Sequence, residues 1–201
     1  MHASEISRPR PLLPLQGAGA AWTCGIVLAL LMLTTRGHHF ASIGILPSAS
    51  WAVFFLAGLY LRRVRVFAGL FALSTALDFG VFGGTVDPWC VTASYWTLAP
   101  AYASLWFAGR LAARGCAPDL TGLARLALTL MVAALVAYGF SGGGFYFLSG
   151  HYAQASLGGF AERIVHYYPL RLGILAGYVG AALALHVLLH QLAARRAVRA
   201  A

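Results

Sequence analysis

The sequence predicts an all-α, polytopic membrane protein that crosses the bilayer six times, with both termini cytoplasmic. Three observations lead there. The 201 residues are 60% hydrophobic and only 9% charged, too apolar for a water-facing surface. Apolar runs near the roughly 20 residues that a bilayer-crossing helix needs follow one another along the chain. All 14 basic residues are arginine, and most fall on alternate connections between those runs, the asymmetry that keeps a loop in the cytoplasm.

Residues 1–16 carry Arg8, Arg10, Pro9, Pro11 and Pro14 and read as a cytoplasmic arm. The six-helix domain is expected over 17–192, with a basic tail at 193–201. The first span is expected at 17–35. A basic start before an apolar run also fits a signal peptide, but no small-residue cleavage site follows. Within this span Ala21, Gly25 and Ala29 repeat every four residues, a stripe that lets another helix approach closely. The second span, 50–61, is short, with an irregular lead-in at 43–47, and Arg62, Arg63 and Arg65 close it. The third runs from 66 to 82 with Asp78 near its outer end. An acid inside an apolar helix is either functional or a partner for a neighbouring helix end.

The fourth span is expected at 88–107. Asp87 suits the N-cap and Pro88 the first helical position. That count puts Cys90 in the first turn, at the positive end of the helix dipole, where a thiol tends toward thiolate. A small residue filling a helix end would look the same. The fifth span is expected at 120–140. Residues 141–168 then form the longest non-helical region, with Gly142 to Gly144, the aromatic run Phe145-Tyr146-Phe147, His151-Tyr152 and Glu162-Arg163. Its glycines would let backbone approach a flat ligand or let a lid move. The sixth span is expected at 169–192.

Counting arginines by side places the termini in the cytoplasm. The outer side then collects His38, His39, Asp87, Trp89, Cys90, Tyr95, Tyr146, His151, Tyr152 and Arg163. Polar groups, aromatics and one thiol at one end of a bundle point to a cavity open to the outside. The chain has no lysine, which excludes a Walker A loop and a Schiff-base cofactor. Arginines at helix ends fit a lipid bilayer rather than nucleic acid. The three cysteines form no CxxC pair, and no zinc-ligand spacing occurs. A lone thiolate is better suited to completing the coordination of a metal that arrives inside a cofactor.

Arg36-Gly37-His38-His39 and Asp87-Pro88-Trp89-Cys90, within a six-helix chain of this length, resemble the substrate-binding S-components of energy-coupling factor (ECF) vitamin transporters. More narrowly, they resemble the solitary cobalamin group, BtuM. The resemblance implies bacterial inner-membrane uptake of cobalamin (vitamin B12), bound in an outward-facing cavity with Cys90 as a ligand to cobalt. His38 would lie near that site and Tyr95 would line it. It also implies an energy-coupling partner that docks on the Ala21, Gly25 and Ala29 face, unless the chain works alone. A thiolate on the upper face of cobalt would displace cyanide, so decyanation by Cys90 belongs to this reading. Two other readings stay open. One is a membrane thiol or redox enzyme using Cys90 and His38. The other is a haem- or metal-binding subunit using His38, His39, His186 and His190.

Overall fold

The computed structural model describes residues 17–36, 46–81, 86, 92–115 and 119–200, with side chains to 196. Among the described residues six α-helices make up the fold: α1 Ala18–Thr35, α2 Ser50–Tyr60, α3 Val64–Asp78, α4 Leu98–Gly115, α5 Leu120–Leu148 and α6 Leu157–Ala200. A short 3-10 helix, Ala93–Thr97, leads into α4. There is no strand among the described residues. Three segments, α1, α5 and Leu157–Arg196 of α6, are long and apolar enough to cross a membrane, which points to a membrane protein. The other helices are shorter or less apolar. At about 1.5 Å per residue, the 11 residues of α2 extend about 16 Å, roughly half of a hydrocarbon core about 30 Å thick.

The centre of the bundle is α2, in which every residue except Trp51 is buried. Two glycines explain how it fits against α4. A Cβ on Gly58 would collide with the Trp106 carbonyl, and one on Gly109 with the Phe55 carbonyl. The two backbones therefore nearly touch, the approach that small residues permit between membrane helices. Beside this contact Phe54 stacks on Tyr102, with ring centroids 4.2 Å apart. The buried side chains of Leu105 from α4 and Leu175 and Val179 from α6 complete the same core. The expected close-packing stripe on α1 is not where the tightest approach occurs. Ala21, Gly25 and Ala29 are only half-buried and line an open groove of about 550 Å³ toward α3.

Successive helices alternate in direction. Residues from the C-terminal ends of α1, α3 and α5 meet residues from the N-terminal parts of α2, α4 and α6 around one cavity. At the opposite end Arg63 and Arg65 meet the start of α1, and Arg114 meets Arg125. The segregation of arginines expected from the sequence is thus a segregation between the two ends of the bundle.

Three expectations need correction. Residues 141–168 are mostly helical, because α5 continues to Leu148 and α6 begins at Leu157. The glycine tract survives in a helix because its neighbours demand the missing side chains. A Cβ on Gly143 would sit 3.1 Å from the Phe160 ring, and one on Gly144 would strike Thr97. Each glycine costs a helix about 1 kcal/mol relative to alanine, and here close packing offsets it. The helix stops at Gly150, whose φ of 75° makes the left-handed turn that ends many helices. Next, Pro169 lies inside α6 instead of starting it, removing one backbone hydrogen bond without breaking the helix. Lastly, Thr92 is extended (φ −89°, ψ 159°), so α4 does not run continuously from Pro88. The argument that the α4 dipole lowers the Cys90 pKa falls with it.

Gly58→Val should destabilise the bundle by at least the roughly 1–3 kcal/mol typical of core overpacking. Thermal unfolding in detergent checks this; an unchanged melting temperature would contradict the α2–α4 contact.

Candidate ligand-binding site

The floor of the cavity is an ion pair between the ends of α1 and α3. Arg36, the residue that ends α1, directs Nε to Asp78 Oδ1 at 2.7 Å and its terminal nitrogen to Asp78 Oδ2 at 2.5 Å. The remaining nitrogen donates to Ser50 Oγ at 2.6 Å and to the Tyr102 hydroxyl at 2.7 Å. The Tyr95 hydroxyl donates to Asp78 Oδ2 at 2.9 Å. Planar guanidinium and carboxylate suit this two-pronged contact. Burial alone would lower the Arg36 pKa, but Tyr102 and Asp78 outweigh it and raise it further, so the guanidinium stays charged. Thr35 adds a fixed point beside it, accepting the Ala49 N–H at 3.1 Å.

Above this floor lies a cavity of about 560 Å³. One wall is the face of α5 that carries Tyr138, Ser141, Gly142 and Phe145. Another is the face of α6 that carries Arg163, Tyr167, Arg171 and Ile174. On α5 these residues fall at i, i+3, i+4 and i+7, and on α6 three or four apart, so one stripe of each helix faces inward. The volume lies within the range of small-molecule sites, and the mixture of rings with a few placed polar groups is typical of them.

At the rim, the Arg163 guanidinium carbon stands 5.5 Å from the Tyr146 ring centre, 4.9 Å from Tyr152 and 5.1 Å from Tyr167. Cation–π attraction holds it there. Tyr146 is itself buried and accepts the Ser156 N–H at 3.3 Å. It thereby pins the connection between α5 and α6. His151 is exposed, with its ring 5.0 Å from that of Tyr152.

Of the residues singled out in the sequence, Tyr146, His151, Tyr152 and Arg163 come together in one cluster, and Arg163 reaches the cavity. Tyr95 stands apart from them and supports the floor through Asp78. His38, His39, Asp87, Trp89 and Cys90 lie outside the described residues, as do Cys116 and the 1–16 arm. At the other end of the bundle, His186 stacks on Tyr60 with 5.6 Å between ring centroids, while His190 is exposed. The glycine tract serves helix packing, and only Gly142 of it lines the cavity.

Sequence reasoning allowed Asp78 to partner a neighbouring helix end, as it does with Arg36, but did not single out Arg36 as that partner. The signal was present: in a chain with five acidic residues, an acid at the end of an apolar helix calls for a cation beside it. Arg171 lies in the span expected at 169–192 but was not singled out for the site, and α6 starts about three turns earlier than expected, at Leu157. Set against protein-family models the chain matches none, and no curated protein matches it. Fold and site together define an all-helical protein of membrane-spanning character with a basic, aromatic cavity at one end.

Asp78→Ala should cost about 3–5 kcal/mol, because it leaves Arg36 buried and unpaired. The double variant Arg36→Met/Asp78→Ala should recover much of that loss. Melting temperatures of wild type and the two variants check this; equal losses in single and double variants would exclude a buried pair.

Proposed function

We propose that the chain is a bacterial inner-membrane uptake protein for cobalamin, which enters the cavity from outside the cell. The arginine-rich end is then cytoplasmic, in keeping with the positive-inside rule. This leaves both termini inside and requires six passes, the short buried α2 counting as one of them.

One observation carries this reading: the chain segments that bear the candidate cobalt ligand Cys90 and the histidines His38 and His39 connect directly to residues of the cavity and its floor. Residues 37–45 leave from Arg36 and rejoin the described chain just before Ser48, both of which line it. Cys90 precedes by five residues Tyr95, whose hydroxyl is bound to Asp78 in the cavity floor. Cobalamin is larger than a cavity of about 560 Å³, so its corrin enters in part and the remainder stays at the mouth.

The chemistry is ligand exchange. A Cys90 Sγ–Co bond forms, the bond from cobalt to cyanide breaks, and cyanide leaves with its electron pair. The thiol proton goes to solvent, and cobalt keeps its oxidation state. The open groove beside Ala21, Gly25 and Ala29 suits the docking of an energy-coupling partner, which the chain, lacking an ATP-binding loop, would need for active uptake.

Visible absorption of purified protein incubated with cyanocobalamin, for wild type and Cys90→Ala, tests the reading. A changed corrin spectrum in wild type that Cys90→Ala lacks is expected. No bound corrin in either protein would remove the cobalamin reading.

A further inference from the structure

The charge balance of the cavity goes beyond what cobalt ligation would need. Three arginines line it, Arg36, Arg163 and Arg171, with a single carboxylate, Asp78. Asp78 is committed to Arg36, and this is the one ion pair among the described residues. Glu162 is exposed and makes no such pair with its neighbour Arg163, and Asp119 caps α5 at the other end, accepting the Gly122 N–H. Among the described residues, two positive charges therefore remain in the cavity without a carboxylate partner.

Their surroundings hold them without neutralising them. Three tyrosine rings fix the Arg163 guanidinium through their faces, and a neutral ring cancels no charge. Arg171 follows two turns further along α6, about 12 Å by the helical rise, and arginine side chains are long enough to converge across that distance. Tyr138 lines the same cavity from the α5 wall. Its hydroxyl also meets the Arg163 carbonyl at 3.4 Å. In a concave site with low-dielectric walls, uncompensated charge is focused on whatever enters. Guanidinium presents planar paired donors that match phosphate oxygens.

We infer that Arg163 and Arg171 form an anion subsite that grips a phosphate-type group of the cavity's ligand. The inference rests on the cavity being the ligand site. If that ligand is cobalamin, the group is the phosphodiester of its nucleotide loop, and the arginines orient the loop toward α6.

The test uses two probes on the purified full-length chain. The first is inorganic phosphate, compared with chloride at equal ionic strength by melting temperature. The wild type should be stabilised progressively with phosphate concentration, as for any ligand that binds the folded state. That shift should vanish in Arg163→Gln/Arg171→Gln and persist in Arg114→Gln, which removes a cation from the opposite end. Arg171→Gln alone, at an exposed position, should weaken it and serves if the double variant does not fold. No shift in wild type, or an equal shift in the variants, overturns the subsite. The second probe is cobalamin against cobinamide, the same corrin without the nucleotide loop and its phosphodiester. Cobalamin affinity should fall about tenfold or more in the variants, with cobinamide affinity unchanged. Parallel losses for both corrins, or no loss for either, overturn the subsite while leaving cobalamin uptake standing. A phosphate shift that needs the arginines, in a wild type that binds neither corrin, keeps the subsite and removes the cobalamin reading instead.

Discussion

The rest of the structure depends on the ion pair between Arg36 and Asp78. Two charges taken out of water destabilise a fold unless they find one another and their remaining donors and acceptors are filled. Here the filling comes from Ser50 on α2, Tyr102 on α4 and Tyr95 on the short helix before it. One buried contact therefore sets the relative depth of four helices. The net stability from such a pair is modest, because desolvation offsets much of the attraction. Its weight lies in excluding other packings, since sliding α1 or α3 by one turn would strand a bare charge.

The pair also divides the labour of the cavity. By cancelling Arg36 it leaves the floor polar but neutral and moves the positive charge to α6. The hydrogen-bonded floor is rigid by construction. The α6 wall, held by ring faces and by van der Waals contact between α5 and α6, carries the charge.

How far the sequence shows this varies from element to element. The bounds of α2 follow closely from its apolar run and the arginines after it, and Asp119 marks the start of α5 as a cap residue should. The glycine tract misleads, because its helical state is decided by Phe160 and Thr97, which are distant in sequence or on another element. Pro169 misleads for a similar reason: local preference says stop, and the helix on both sides continues through. The cluster of Tyr146, Tyr152 and Arg163 was legible as composition, since large rings and one cation in an outer segment tend to meet. Arg171 was not, because its role appears only when α6 extends back past the proline. The cysteine and histidines that first drew the eye lie outside the described residues, so their placement rests on chain connectivity to Arg36 and Tyr95.

Enclosure of α2 bears on how the protein is made. Its few turns are too short to rest in lipid alone, and nearly all of its surface is claimed by other helices. Such a segment has no stable lodging at the moment of synthesis. It is settled only once a neighbour lies beside it, and its glycine-lined surface is covered only when α4 packs against it. The order of biogenesis is therefore written into the packing: the innermost helix is among the first to be synthesised and among the last to be complete.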